Sequence, residues 1–444
     1  MEVLGDKDFQ DEALLRPVGH LGKGFLLTVT ILLGVVLWGI YAYSFQVRHG
    51  LGVTGLDRPV YWGFYITNFV FFIGISHAGT LISAILRLCQ AEWRRSITRA
   101  AEVITVVVLF IGAANILLDL GRPDRALFVI FHGNLTSPLL WDVVSISTYL
   151  TGSTIYLYLP LIPDIAILRD RKARPQFLYR ILSLGFTGTE KEKKRLHIAI
   201  SIMAVIVIPI AISVHTVVSW VFAMTIQPMW HSTIFGPYFV VGAIFSGIAA
   251  LILAMAIIRR AYHLQEYLKE IHFNNLGTLL LVMALLWFYF TFAEYLTTFY
   301  GGEPDEMAVF FAKVRGPYAP YFWAMVVTNF VIQFSILCNR KTRTVAGTVI
   351  ASSSVIVGMW LERFTIVVPT LVNPRIPFPR GTYFPSWIEV SLMAASFAMF
   401  ILLYMGFSKL FPIVSVWEMK EGREVSVAET AERVRTYLPG ESEA

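Results

Sequence analysis

Apolar residues fill the chain in ten long runs, separated by shorter segments that carry most of the charged residues. Each run approaches or exceeds the roughly 20 residues that an α-helix needs to cross the hydrocarbon core of a bilayer. The pattern therefore predicts an all-α integral membrane fold. Its ten spans are expected at residues 24–46, 62–88, 101–118, 138–163, 196–222, 237–261, 276–300, 321–338, 345–369 and 386–410.

Composition and charge add a direction to these spans. The chain is 56% hydrophobic and only 15% charged, whereas a soluble domain carries about 25% charged residues. The polar N-terminus lacks the pattern of a signal peptide, so we expect the first span to stay in the mature protein. Of the 36 Lys and Arg residues, 27 lie on the N-terminal side of the membrane, eight lie on the other side and Arg363 lies within a span. The positive-inside rule then predicts that both termini are cytoplasmic.

Spans two and six have similar ends, which suggests an internal repeat. They begin with "RPVYWGFY" and "FGPYFVVG" and end with "AILRL" and "AIIRR". Such residues are common at membrane interfaces for other reasons, so the repeat stays open. We interpret the chain as a cytoplasmic segment, a first helix with its outer loop, a first four-helix bundle, a second such bundle, an outer loop with helix ten, and a cytoplasmic tail. The respective residues are 1–23, 24–61, 62–222, 237–369, 370–410 and 411–444.

A few ionisable side chains lie inside the predicted spans, where each costs several kcal/mol and usually faces a cavity or a partner. At about 1.5 Å rise per residue, His77 lies near the middle of its span, and most of the others lie toward the outer half. On the same basis, His77 and His215 differ in depth by about 6 Å. The full set is His77, Asp119, Asp142, His215, Glu294, Glu362, Arg363 and Glu389.

The fourth span carries a polar stripe on one helix face. Asp142, Ser145, Tyr149, Gly152 and Tyr156 follow the 3-4-3-4 spacing that keeps side chains on one side. Small and hydroxyl residues commonly serve only to pack helices closely. A stripe that ends in a carboxylate is better explained as a route for protons. We assign Ser145, with Glu294, Glu362, Arg363 and Glu389, to such a proton pathway.

The outer loop "LLDLGRPDRALFVIFHGNLTSPLLWD" is unusually polar. Arg122 and Arg125 stand beside Asp119 and Asp124. These four residues either tie the loop down by local ion pairs or form a polar rim over a pocket within spans two to five. In the second interpretation Asp119 and Asp142 lie at the mouth of the pocket.

Several kinds of chemistry lack support in the sequence. It has no phosphate-binding loop, zinc-type His/Glu spacing or serine elbow, so no metal site is expected. Two cysteines, Cys89 and Cys338, are too few for an iron–sulfur cluster. Haem b requires histidines that face each other, and the depths of His77 and His215 weigh against that pairing.

An apolar membrane cavity with ionisable groups suits a quinone, because quinol oxidation needs a base for each hydroxyl proton. Without a redox centre of its own, the chain must pass electrons to a cofactor on a partner at the outer face.

Particular stretches also resemble a known family. "LGRPDRAL", "TSPLLWD" and "NFVFFIGISHAGTLISAILRL" are similar to the NrfD/PsrC family of membrane anchor and quinone-binding subunits. "SVHTVVSWVFA", "QPMWHSTIFGPYFVVGAIFSG", "FAEYLTTFYGG" and "LERFTIVVPTL" resemble the ten-helix ActC subunit of alternative complex III. The resemblance covers roughly residues 20–410. The stretch "LDLGRPDR" departs from the ActC pattern and is closer to anchors of polysulfide and molybdopterin reductases.

The resemblance implies menaquinol oxidation in a bacterial inner membrane, coupling to proton translocation, a periplasmic iron–sulfur subunit, haem subunits of the c type and an ActF-like membrane partner. It implies a quinone site near the outer face of the first bundle. We predict His77 and Asp142 as the catalytic pair, and quinone binding by Asp119, Arg122, His215 and Tyr149. The alternatives are an anchor of a polysulfide or molybdopterin reductase, a structural anchor with a lost site, and a secondary transporter. The last is disfavoured because no pair of broken helices is apparent.

Overall fold

The computed structural model describes residues 12–376, 379 and 381–423. Parts of the predicted cytoplasmic N-terminal segment and tail, residues 1–11 and 424–444, lie outside the described residues. Within the described residues, ten helices are long and apolar enough to cross a membrane, which confirms the all-α membrane fold. We number them α1 (Lys23–His49), α2 (Phe64–Leu88), α3 (Thr98–Asp119), α4 (Pro138–Asp170), α5 (Glu190–Ala223), α6 (Phe235–Ala261), α7 (Glu270–Gly301), α8 (Ala319–Leu337), α9 (Val345–Val372) and α10 (Trp387–Leu410).

Several helices run further than their apolar cores predict. At 34 residues, α5 is about 50 Å long, whereas the hydrocarbon core is about 30 Å thick. Its first turns therefore project beyond the membrane, and a capping box between Thr189 and Glu192 fixes its start. Shorter elements connect the spans: α-helices at Phe128–Phe131, Gln176–Leu182 and Pro304–Val314, and 3-10 turns at Leu51–Val53, Glu92–Ser96 and Pro123–Arg125.

The spans pack as two rings. Helices α2 to α5 contact one another in sequence, and α5 returns to α2. Helices α6 to α9 do the same. The rings meet where α6 contacts α2 and α5 and where α9 contacts α2. Outside them, α1 packs on α10, and α10 packs on α3. Two four-helix bundles with two flanking helices would make these contacts, and the division into bundles remains our interpretation.

Two spans are irregular near their middles. In α2 the regular helix ends at Ile75 and begins again at His77, with Ser76 between the two halves. In α8 a π-helical stretch, Val327–Val331, separates two short α-helices. Sequence analysis did not predict either irregularity. No proline marks either position, so the usual sequence signal for an interrupted helix is missing.

The ends of the spans form two opposite faces, and one of them is strongly basic. This basic face contains the start of α1 and the end of α2. It is closed by a cluster that we call the clasp: Arg87, Arg99, Asp164 and Glu418. Arg99 pairs with Asp164 and Arg87 pairs with Glu418, and all four side chains are largely buried. The Asp164 carboxylate also accepts hydrogen bonds from the backbone amides of residues 416 and 417 at 3.1 and 2.9 Å. The clasp therefore joins α2, α3 and α4 to the segment after α10.

Candidate functional site

The break in α2 is held by a single threonine of α3. The Thr105 hydroxyl donates to the Ser76 carbonyl at 2.6 Å and accepts from the amides of Gly79 and Thr80 at 3.1 and 3.2 Å. The Tyr149 hydroxyl of α4 also donates to the Ser76 carbonyl, at 3.1 Å. Backbone groups freed by a broken helix must find partners inside the membrane. Thr105 and Tyr149 supply these hydrogen-bond partners, so specific contacts stabilise the break.

Two histidines meet at this break. The rings of His77 and His215 have centroids 3.7 Å apart with their planes at 69°, and both side chains are buried. The Tyr149 ring lies 5.9 Å from His77. The ring nitrogens make no hydrogen bond of good geometry within the described residues, although the carbonyls of Ala211 and Ile73 lie nearby.

The expected difference in depth between the two histidines was wrong. That estimate took the middle of each span as the middle of the membrane. Because α5 extends well beyond the bilayer at the basic face, its own middle is not that of the membrane. The observed contact also leaves no room for a porphyrin between the rings, so they are not placed as paired haem ligands. Within the described residues, no three His, Cys, Asp or Glu side chains gather as a metal site.

Two consecutive ionisable residues of α9, Glu362 and Arg363, form a buried pair, and Arg363 lies near His215. Arg363 packs against Gly242 of α6 and over the ring of Phe239, with its guanidinium carbon 4.8 Å from the ring centroid. A Cβ placed on Gly74 of α2 would lie 3.8 Å from Arg363 Nη2, so this guanidinium faces the histidine half of the molecule. Glu362 lies 3.1 Å from Arg363 Nη1 and is completely buried.

The second Glu362 oxygen is bound as well. Oε1 accepts the indole N–H of Trp287 in α7 at 2.5 Å, and Oε2 is the atom that lies 3.1 Å from Arg363 Nη1. The α9 pair therefore lies between the two rings of helices. It thus brings residues of the predicted second bundle toward the histidines of the predicted first bundle.

Polar residues continue from Glu362 toward the face opposite the basic one. Thr291 of α7 contacts the Tyr238 hydroxyl at 3.5 Å, and Glu294 lies one turn further along the helix. Glu294 accepts a hydrogen bond from Ser232. A cavity of about 20 Å³ lies between Glu294, Tyr238 and Lys313, which is enough space for one water molecule.

Lys313 is a buried cation outside the spans, in the helix Pro304–Val314. Burial lowers the pKa of its ammonium group to about 8, against the opposing effect of the Glu294 carboxylate. Within the described residues, the one acceptor in hydrogen-bond geometry to its Nζ atom is the sulfur of Met229, at 4.0 Å. Sequence analysis missed Lys313 because it belongs to a segment that we had taken as an outer loop.

A second series of polar groups leads from the break to the basic face. Thr80 donates to Ser153 of α4 at 3.1 Å. Ser83, one turn further on, donates to Glu102 of α3 at 2.6 Å and lies 3.3 Å from the Tyr156 hydroxyl. Together with the His77–His215 pair, the α9 pair and Glu294, these groups form a line of buried polar side chains, which we call the polar line.

Glu102 is the main residue of the polar line that sequence reasoning missed. It is the second residue of the predicted third span, and it was not included among the ionisable residues within the membrane. A signal was present in α2, where Ser76, Thr80, Ser83 and Arg87 follow a 4-3-4 spacing on one face. The matching hydroxyl stripe on α4 was recognised.

Asp142 is buried in α4, and its Oδ1 has no hydrogen-bond partner within the described residues. It lies seven residues from Tyr149, or about 10 Å along the helix toward the face opposite the basic one. Ser145 is half-buried and donates back to the Asp142 carbonyl at 3.0 Å, so its hydroxyl is engaged by its own helix.

The other predicted residues lie away from the histidines. Asp119 ends α3 close to Tyr65 and Glu389, on the side of α1 and α10. Glu389 accepts from the Gly55 amide at 2.7 Å and from the Tyr383 hydroxyl at 2.6 Å, and it completes the capping box of α10. These are the contacts of a structural cap.

Arg122 is exposed and forms a local ion pair with Asp124 at 3.1 Å. The loop thus shows the local pairing that was one of the two interpretations. The structure places neither Arg122 nor Asp119 in contact with Asp142 within the described residues.

Ten membrane helices around buried histidine, carboxyl and hydroxyl groups define a polytopic membrane protein with ionisable groups in its interior. Residues 52–374, more than half of the chain, match the family described as "Polysulphide reductase, NrfD". The chain belongs to this family, as its motifs predicted.

Three relatives give the family a chemical context. A putative membrane subunit of dimethyl sulfoxide reductase from Halobacterium salinarum is 27% identical over 54% of this chain. The match spans 54% of that protein, so the chain covers only about half of it. An Hdr-like menaquinol oxidoreductase integral membrane subunit of Archaeoglobus fulgidus is 24% identical over 88% of this chain and 94% of that protein. A selenate reductase subunit of Mesobacillus selenatarsenatis is 22% identical over 79% and 83%.

Proposed function

We propose that this chain is the quinol-oxidising membrane subunit of a respiratory oxidoreductase complex. The observation that carries the proposal is the pair His77 and His215, buried together at a helix break with ring nitrogens that make no hydrogen bond of good geometry within the described residues. Asp142 adds a carboxylate oxygen on an adjacent helix that likewise makes none there. Buried polar groups without partners are rare in folded proteins, and they are expected where a ligand completes the hydrogen bonds.

The distance along α4 from Tyr149, the neighbour of His77, to Asp142 suits the length of a quinol. Two ring oxygens about 5 Å apart, with a hydrogen bond of about 2.8 Å at each end, span about 11 Å. Tyr149, which contacts the histidine end, lies about 10 Å from Asp142 along α4. In this arrangement His77 binds one hydroxyl of the quinol and Asp142 binds the other. Each accepts one proton as two electrons leave the ring and the quinol becomes a quinone.

The electrons and protons then take separate routes. The relative named as a menaquinol oxidoreductase subunit supports menaquinol as the substrate. The two electrons pass to a partner at the face opposite the basic one, where an iron–sulfur subunit and haem subunits of the c type would receive them, as in alternative complex III with its ActF-like subunit. The basic face is cytoplasmic in this proposal. The polar line offers the protons a path, which is the basis for coupling to proton translocation.

The test compares His77→Gln and Asp142→Asn in the intact complex, with menaquinol analogue oxidation as the measurement. Loss of a general base costs about 100-fold or more in rate, so both variants should fall by at least that factor. The matched control is His272→Gln, which changes a buried histidine near the basic face that bonds the Lys269 carbonyl at 3.1 Å. If both variants oxidise quinol at the rate of the control, the site assignment is wrong.

A second candidate is the anchor of a molybdopterin-type or polysulfide reductase, and two relatives favour it by name, as reductase subunits. Quinol oxidation at His77 is common to both proposals, but the electron acceptor differs. Purification of the chain with its partners, followed by cofactor spectra and metal analysis, separates them. Haem c bands support the first proposal, and molybdenum without haem supports the second. The broken α2 removes one argument against a transporter, whereas family membership favours the oxidoreductase class.

A further inference from the structure

A large cavity lies away from the polar line, between the α1–α10 pair and the rest of the molecule. Its volume is about 850 Å³, within the range of small-molecule sites. Its walls are formed by the basic-face halves of α1, α6 and α10, and its deep end reaches α2, α3 and α9 near mid-membrane. The residues at the deep end are Phe71, Phe72, Ile75, Val108, Ile356 and Phe397.

This cavity is separate from the proposed quinol site. At 100° per residue, Ile75 and His77 are about 200° apart around α2, so they face opposite sides of the helix. Ile75 lines the cavity, whereas His77 contacts α5. The deep end is apolar, and the nearby Tyr404 hydroxyl already donates to the Ala100 carbonyl at 3.2 Å. A quinone ring would find no free pair of hydrogen-bonding groups among the described residues there.

The mouth of the cavity is basic. Arg16, His20, His263 and Lys409 lie at the basic face, and no Asp or Glu occurs among the described lining residues. Arg16, His20 and His263 are exposed. Lys409 donates to the Pro17 carbonyl at 3.2 Å, and its Nζ atom lies 5.0 and 4.8 Å from the ring centroids of Phe25 and Tyr262, which hold the charge at the mouth. The charges of Arg16 and Lys409 above an apolar cleft are complementary to an anionic headgroup that carries a hydrocarbon tail.

The cavity also has the dimensions of one leaflet. Along α10 it extends from Phe397 to Lys409, a distance of about 18 Å at 1.5 Å per residue. Half of a hydrocarbon core of about 30 Å is about 15 Å. An acyl chain that enters from the basic-face leaflet would therefore end near the middle of the membrane, where Phe71 and Ile75 close the cavity.

We propose that this cavity binds an anionic phospholipid of the basic-face leaflet. The phosphate binds Arg16 and Lys409, and an acyl chain fills the space between α1, α6 and α10. The bound lipid completes the packing of α1, a helix of which few residues are buried by protein. The site is independent of the redox function proposed above.

The experiment measures phosphatidylglycerol binding to the intact complex by native mass spectrometry, with phosphatidylcholine as the neutral lipid. The test variant combines Arg16→Gln and Lys409→Gln. Each basic group near an anionic lipid surface contributes about fivefold, so the double variant should bind phosphatidylglycerol about 25-fold more weakly. The matched control combines Arg340→Gln and Lys341→Gln, two exposed basic-face residues outside the cavity lining, and it should bind as wild type does.

A second variant tests the apolar part without changing charge. Ala254→Phe fills the wall contributed by α6, and it should reduce phosphatidylglycerol binding while the complex remains assembled by size-exclusion chromatography. Equal binding of the two lipids by wild type would overturn the proposal. So would unchanged binding in the Arg16/Lys409 variant, or release of quinone in place of phospholipid from the Ala254→Phe complex.

Discussion

The close approach of α2 and α3 at Gly79 provides a sharp test of the packing around the helix break. A Cβ at Gly79 would lie 1.9 Å from the Ala101 carbonyl oxygen and 2.3 Å from Thr105 Oγ1. To reach an ordinary contact of 3.4 Å, the two backbones would have to separate by about 1.5 Å. The hydrogen bonds from Gly79 and Thr80 to Thr105, at 3.1 and 3.2 Å, would then be lost.

The cost of Gly79→Ala follows from these losses. Overpacking costs about 1–3 kcal/mol, and each of the two buried amides left without a partner costs about 1–3 kcal/mol. We expect a destabilisation of at least about 3 kcal/mol, seen as a lower melting temperature of the detergent-solubilised complex. The control is Gly34→Ala in α1, where a Cβ meets nothing within 4 Å. That change should be neutral or stabilise by up to about 1 kcal/mol. Equal melting temperatures for the two variants would refute the reasoning.

Two further predictions concern charges outside the spans. Glu418→Gln should lower the melting temperature more than Glu92→Gln, because Glu418 is buried against Arg87 and Arg94 whereas Glu92 is exposed. Burial opposes ionisation of Glu418, but these arginines lower its pKa. Its stabilisation is therefore present above the ordinary Glu pKa and lost as the pH falls through the lower folded pKa. Melting curves from pH 6 down to about 2 should show wild type converging on the Gln variant below the ordinary Glu pKa of about 4.3. For Lys313, burial lowers the pKa to about 8. Wild-type stability should rise between pH 8 and about 10.4, and Lys313→Met should abolish that rise; a rise of equal size in both proteins would contradict it.

The spans were predictable because a hydrocarbon solvent demands long apolar runs, and all ten are present. Their ends were less predictable, since helices continue into water where hydropathy no longer marks them. The start of α5 illustrates this, because Glu190 begins a charged first turn beyond the apolar run. The pair Thr189 and Glu192 carried a readable capping-box signal for that start.

The candidate site was predictable as a set of residues but not as an arrangement. His77 and His215 were identified because an ionisable side chain in an apolar run is conspicuous. Their contact depends on the break at Ser76 and on how far α5 projects, and neither is encoded in hydropathy. Arg363 was assigned to the second bundle because it is distant in sequence, yet the packing of α6 against α2 and α5 brings it toward the histidines.

The pairing of α1 with α10 has a consequence for biogenesis. The Trp38 indole donates to the Ser391 hydroxyl at 2.8 Å across 353 residues of sequence, and Gly39 lets the backbone approach Ala395 closely. Among the ten spans, α1 is therefore made before the others but acquires its main partner only after α10 has been made. Until then α1 must remain in the lipid as a single helix, and its mean hydropathy of 2.3 makes an unpaired helix stable there. For α1, membrane insertion and packing against its main partner are thus separate events.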